Sequence, residues 1–141
     1  MKFWDTSALL PLLVEEPHSG AMQALMRDDP AVAVWWLTPV EAWAALARLE
    51  REHRLRETDV TVAGALLDEA RRQWTEIPPL DRVRDQAVRL VRLHPLRSAD
   101  ALQLAAAVVL ADFDPRTLPF VTLDAQLASA ARREGFEVIT A

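Results

Sequence analysis

An α/β fold, with a parallel sheet covered by helices on both faces, is predicted by three features of this 141-residue sequence. Short apolar runs recur along the chain, with enough residues between them for a helix. The runs are continuously apolar rather than alternating, as expected for strands buried on both sides. The intervening segments carry apolar residues at helical spacing. In open sheets of this kind the functional crevice lies beyond the carboxyl ends of the strands.

The elements follow in order. MKFW (1–4) reads as a buried strand. TSALLPLLVEE (6–16) has helical spacing and stops before Pro17, a residue that does not continue a helix comfortably. HSGAMQALMRDD (18–29) forms a second short helix closed by Pro30. AVAVWWL (31–37) is β-branched and aromatic, the composition of a buried strand. In TPVEAWAALARLEREHRL (38–55) Thr38 is placed as N-cap, Pro39 as the first helical residue and Glu41 as the closing acid of a capping box. ETDVTVAGALLDEARRQW (57–74) is amphipathic, and TEIPPL (75–80) reads as a short strand or extended turn. DRVRDQAVRLVRLH (81–94) puts Val83, Ala87, Leu90 and Val91 on one side and arginines on the other. SADALQLAAAVVLADF (98–113) is nearly all apolar and should be buried on most sides, with Ser98 as its cap. LPFVTL (118–123) is a strand, DAQLASAARREGF (124–136) a helix stopped by Gly135, and EVITA (137–141) a last strand. One domain over residues 1–141 is expected, with no repeat and no linker.

Composition narrows the chemistry. A hydrophobic share of 51% and a charged share of 26% describe a folded globular chain. The absence of Cys rules out disulfides and thiolate metal sites, so any bound metal is held by oxygen or imidazole. No apolar run reaches the roughly 18 residues of a membrane span and no signal peptide is evident, so a cytoplasmic location is expected. The net charge of −5 argues against a surface coated for nucleic acid. The basic residues are nevertheless almost all Arg, the better side chain for forked contacts to phosphate.

Four acids occupy equivalent places. Asp5 ends the first strand, Glu41 lies in the first turn after the second, Asp124 follows FVTL directly, and Asp100 enters the buried ALQLAAAVVL helix. Each has a local alternative, since Asp5 and Asp124 are passable N-caps and Glu41 fits a capping box. In a parallel sheet, however, the strand ends share one edge. Two carboxylates at 5 Å repel by about 3 kcal/mol at an effective dielectric near 20, and helix N-termini return only about 0.3–1 kcal/mol each. Some of the acids must hold protons, or a divalent cation must neutralise them. An all-oxygen cluster suits Mg²⁺ or Mn²⁺. Ser7 and Thr122, two residues from Asp5 and Asp124, are candidate supporting hydroxyls, or simple local caps.

The segments FWDTSALLPLL, TPVEAWAALARL, LRSADALQLAAA and FVTLDAQLASAARREGFEVI, in that order, resemble PIN-domain ribonucleases, above all the VapC toxins of bacterial toxin–antitoxin pairs. The likeness runs through essentially the whole chain. It implies a three-layer α/β/α sandwich with a central parallel sheet, a Mg²⁺ or Mn²⁺ pocket and endonucleolytic cleavage of RNA. Asp5, Glu41, Asp100 and Asp124 stand where the family has its acidic cluster, and Ser7 and Thr122 at its usual hydroxyl positions. Asp5, Asp100 and Asp124 are the expected metal ligands, with Glu41 handling the attacking water. Some relatives carry a further acid two places after the fourth; here that place is Gln126, which weakens the case for a second metal. A VapB-like antitoxin is the implied partner and a homodimer the implied assembly.

Because acids repel RNA, substrate must be drawn by arginines outside the cluster. Arg97 and Arg48 are candidate phosphate contacts, with Arg51, Arg54 and Arg56 beyond Arg48. Trp35, Trp36, Trp43 and Trp74 read as core, or as a dimer or antitoxin groove, and His18, His53 and His94 as solvent residues. Other readings are a PIN-domain nuclease outside toxin–antitoxin pairs and a non-catalytic binding module on the same fold. A phosphoreceiver domain would need a lysine closing its last strand, and Lys2 is the only lysine.

Overall fold

Phe3 and Trp4 point to opposite faces of the first strand, and the rest of the molecule is organised around that alternation. A computed structural model describes residues 1–141. The strands are β1 (Lys2–Trp4), β2 (Val32–Trp35), β3 (Thr75–Ile77), β4 (Phe120–Val121) and β5 (Val138–Ile139). The helices are α1 (Thr6–Leu13), α2 (Ser19–Asp28), α3 (Thr38–Arg51), α4 (Glu57–Arg71), α5 (Asp81–Leu93), α6 (Ser98–Leu110) and α7 (Ala125–Arg133), with a 3₁₀ turn at Pro115–Thr117. All five strands run parallel in the order β3-β2-β1-β4-β5. The three-layer α/β/α sandwich expected from the sequence is the fold.

One face of the sheet buries Phe3, Ala33, Trp35 and Phe120 against α5, α6 and α7. Phe3 and Phe120 stack across the β1–β4 seam with ring centroids 5.3 Å apart. The other face sets Trp4, Val32, Val34 and Val121 against α1 and α2. A third cluster joins α1, α3 and α4 through Leu13, Ala42, Leu46 and Leu67. Burial of each large apolar side chain in these layers contributes about 1.5–3 kcal/mol. At the α3–α4 contact Trp43 lies directly over Gly64, where an added Cβ would overlap the indole ring. Glycine at this position leaves room for the indole.

Several expectations need correction. Helix α1 ends at Leu13 rather than Glu16, with Pro11 inside it. Thr38 is not the N-cap of α3. The helix starts one residue earlier than the capping-box pattern requires, Leu37 is the cap residue, and no side chain caps it. Ser98 likewise does not cap α6, whose cap residue is Arg97. Val91 is exposed, whereas Val83, Ala87 and Leu90 are buried. Of the tryptophans, Trp35 is core and Trp74 is partly buried, whereas Trp36 and Trp43, 49% and 40% exposed, are not core, which leaves the groove alternative for those two.

His94 is not a solvent residue. It is buried, and its Nε2 lies 2.7 Å from Glu134 Oε1. Arg89 completes the group with a forked contact to both Glu134 oxygens, the shorter at 2.7 Å. Burial pushes the Glu134 carboxyl up, but Arg89 and His94 outweigh it and leave the group below its ordinary value. The partners lie 40 and 45 residues apart in sequence, which is why the composition around His94 did not reveal them.

Candidate active site

The strand order reverses direction between β1 and β4. Successive strands build outward from β1 to β3 on one side, and β4 then returns to the other side of β1. Such a switch point opens a crevice at the carboxyl ends of the two strands. Asp5 leaves β1 there, and the Thr122–Asp124 turn leaves β4 beside it.

Asp5 is both cap and cluster member. It is 4% exposed, with extended backbone, and its side chain accepts from Ser7 N–H at the start of α1. The same oxygen, Oδ2, also accepts from the hydroxyls of Ser7 and, at 2.9 Å, Thr122. Each hydroxyl is in turn held by a backbone donor of the β4 turn. Leu123 N–H donates to Ser7 Oγ at 2.9 Å and Asp124 N–H to Thr122 Oγ1 at 3.1 Å. Chains of this kind polarise their members and strengthen the terminal bond. Oδ1 receives no protein donor, and it keeps access to solvent.

Asp124 and Glu41 show the same division, and Asp100 does not. Asp124 caps α7, with Oδ1 accepting from Leu127 N–H at 2.8 Å and Oδ2 left open. Glu41 accepts at Oε2 from Thr6 Oγ1 at 3.0 Å and from the Gln103 amide at 3.1 Å, leaving Oε1 open. Asp100, in the first turn of α6, accepts no protein hydrogen bond at either oxygen.

No Lys, Arg or His forms a salt bridge with any of the four. Burial pushes the Asp5 carboxyl above its ordinary range, its three donors pull the other way, and the charge of Asp124 adds to the rise. Glu41 is raised mainly by burial, opposed by Gln103 and Thr6, with the charges of Asp5 and Asp100 adding to it. Asp100 is raised by burial, then by Asp124 and Asp5, against a weaker opposing effect from Arg97. The four acids are therefore near enough to act on one another. They do not form a closed cage, since no three of them are set to hold an ion directly. Mg²⁺ commonly takes one or two carboxylates and retains several waters, a need that an open mouth with at least one free oxygen on each acid can meet.

Of the arginines, exposed Arg97 sits next to Asp100 and acts on its charge. Arg48 is exposed seven residues along α3 from Glu41, about 10 Å at the helical rise. Arg51, Arg54 and Arg56 lie farther still, at the opposite end of α3 and beyond it. Gln126 is exposed on α7. Sequence reasoning missed Thr6, Thr38 and Gln103, which together hold Glu41 and its surroundings. The available signal was a lone amide in an apolar helix, one turn after Asp100 and on the same face.

No family model matches the chain. Two curated relatives do, Ribonuclease VapC45 and Ribonuclease VapC49 from two strains of Mycobacterium tuberculosis. Each is 33% identical over 117 residues, covering 78% of this chain and 76% of the relative. Among solved structures, the crystal structure of PAE2754 from Pyrobaculum aerophilum superposes over 99% of this chain and 87% of its own, with a TM-score of 0.63 and 25% identity. Taken with the PIN-like sheet and its acidic mouth, these likenesses show that the chain belongs to the VapC ribonucleases.

Proposed function

We propose that this chain is a metal-dependent endoribonuclease and the toxin of a type II toxin–antitoxin pair, hydrolysing RNA phosphodiester bonds at the mouth formed by Asp5, Glu41, Asp100 and Asp124. The observation that carries this reading is the unequal treatment of the two Asp5 oxygens. Three protein donors saturate Oδ2, while Oδ1 accepts from none and no Lys, Arg or His pairs with the neighbouring carboxylates. Fixing one oxygen and freeing the other orients a ligand. A mere cap has no need of two further hydroxyls.

Asp5 and Asp100 would hold Mg²⁺ or Mn²⁺ directly and Asp124 through water, with Ser7 and Thr122 keeping Asp5 in position. The ion, when bound, supplies positive charge to the phosphate and lowers the pKa of water. Glu41 orients and deprotonates the attacking water through Oε1, and the burial that raises its pKa makes it a stronger base. Arg97, at the rim, attracts a flanking phosphate, and Arg48 is the candidate for a more distant one. A VapB-like antitoxin would silence the enzyme, with an arginine entering the carboxylate mouth. The groove of about 350 Å³ between α1, α2 and α4, lined by Leu12, Met26, Leu66 and Trp74, suits its apolar segment. A homodimer is the proposed assembly.

Asp5→Asn tests the reading. Its Mn²⁺-dependent cleavage of RNA is expected to fall by more than about 100-fold, beyond the 10–100-fold typical of an outer-shell partner, with an unchanged circular dichroism spectrum. Full activity in that variant would remove Asp5 from the mechanism. A wild-type protein that binds RNA without cutting it in Mn²⁺ would favour the binding-module alternative.

A further inference from the structure

Gln103 is the one polar side chain inside α6 that is completely buried, among Ala101, Leu104, Ala105 and Ala106. Its amide nitrogen lies 2.9 Å from Thr6 Oγ1, 3.1 Å from Thr38 Oγ1 and 3.1 Å from Glu41 Oε2. An amide has two hydrogens, so three acceptors compete for them. Its carbonyl oxygen, by contrast, is buried with no donor at all. An orphaned buried acceptor costs about 1–3 kcal/mol, and an apolar side chain of similar length would avoid that cost. Packing therefore does not account for an amide at this position.

What the amide does is join three segments that meet at the acidic mouth. Thr6 is the first residue of α1, just after β1, Thr38 and Glu41 belong to the start of α3, and Gln103 to the helix that carries Asp100. Thr6 closes a small ring, accepting from Gln103 and donating to Glu41 Oε2 at 3.0 Å. A glutamate has three rotatable side-chain bonds, and freezing them in a half-buried site needs such a clamp. We infer that Gln103 is a positioning residue for RNA hydrolysis: with Thr6 it ties down one oxygen of Glu41 so that the other faces the crevice. This rests on the reading of Glu41 as the group that handles water. Gln103 itself touches neither water nor phosphate.

The test is Gln103→Met, which keeps the length and removes the amide, with Gln103→Asn as a second variant whose amide is one methylene too short to reach Glu41. For both, kcat for RNA cleavage is expected to fall roughly 10–100-fold, the range for partners that orient an active group. KM for RNA and the dissociation constant for Mn²⁺ should stay within about twofold, because neither binding function runs through Glu41. Combined with Glu41→Gln, either change should cause no further loss, since the clamp then has nothing to position. A metal-free crystal structure of Gln103→Met should show the Glu41 carboxylate detached from Thr6, a readout independent of turnover. The inference is overturned if kcat stays within twofold, if Glu41 keeps its place in that structure, if Mn²⁺ binding falls in step with kcat, or if the two substitutions multiply. A wild-type enzyme that fails to cut RNA would instead defeat the ribonuclease reading of the site, and the crystal structure would still decide whether Gln103 holds Glu41.

Discussion

Two half-buried charge clusters in this molecule are built in opposite ways. At the ends of α5 and α7, Glu134 is matched by Arg89 and His94, and its carboxyl sits below the ordinary range. At the mouth between β1 and β4, Asp5, Glu41 and Asp100 have only hydroxyls, one amide and backbone N–H groups for partners, if any, and all three are pushed above it. The fold evidently can compensate a carboxylate with cations brought from distant helices. Leaving four acids uncompensated at the switch point is therefore a property of that site, and perturbed groups of this kind cluster at functional sites.

The contrast can be broken most strongly with metal. The three acids have folded pKa values above the unfolded ones near 3.8 and 4.5. The native state gains while they hold protons, and that gain is lost as pH rises from about 4 through the raised values. The metal-free protein should thus be held back at pH 7.5, and Mn²⁺ at 100 times its dissociation constant should add about 2.7 kcal/mol, or roughly 5–10 °C in melting temperature. In Asp5→Asn the metal-free melting point should rise and the Mn²⁺ shift should vanish. An equal shift in both proteins would show that Mn²⁺ binds elsewhere.

The matched cluster should behave in the opposite sense. The folded pKa of Glu134 is lowered, so its contribution is present above about 4.5 and disappears as pH falls through the lowered value. Glu134→Gln should cost roughly 1–2 kcal/mol at pH 7.5, discounted from the value for a fully buried pair because Arg89 is 39% exposed. Differential scanning calorimetry would register a fall of about 2–8 °C, with RNA cleavage unchanged. A loss of cleavage would mean that the two clusters are coupled.

Smallest is the effect at a site with no charge. Gly64→Ala gains about 1 kcal/mol of helix propensity but forces Trp43 out of contact, an overpacking cost of about 1–3 kcal/mol. A net loss of about 1 kcal/mol, or 2–4 °C, is expected, together with a change in Trp43 fluorescence. A more stable variant would show that the indole moves aside freely.

Four of the five strands were legible in the sequence because each lies in a run of apolar residues flanked by segments of clear helical period; β3, with Glu76 at its centre, read as a short strand or an extended turn. Parallel pairing followed from the same runs. What stayed hidden depends on partners remote in the chain. Thr38, Pro39 and Glu41 make a convincing local capping pattern, yet Gln103, 65 residues from Thr38, takes the hydroxyl that the cap would have used. His94, before a proline at the end of an arginine-rich helix, looks solvated until Glu134 folds over it. The positions of the four acids were readable because helix starts after strands are local features. Which oxygen of each is tied and which is free was not, since that is decided by side chains meeting from separate elements.

The bond from Thr122 to Asp5 spans 117 residues of chain. Strands β1 and β4 are neighbours in space, yet everything from the first helix to the sixth must be made before they can meet. A ribosome that has translated only as far as α6 carries a polypeptide in which Asp5 still lacks one of its three donors and Asp124 does not exist. The acidic mouth at this seam cannot assemble in an early nascent chain, so the cleavage proposed for it must wait until synthesis has passed Asp124.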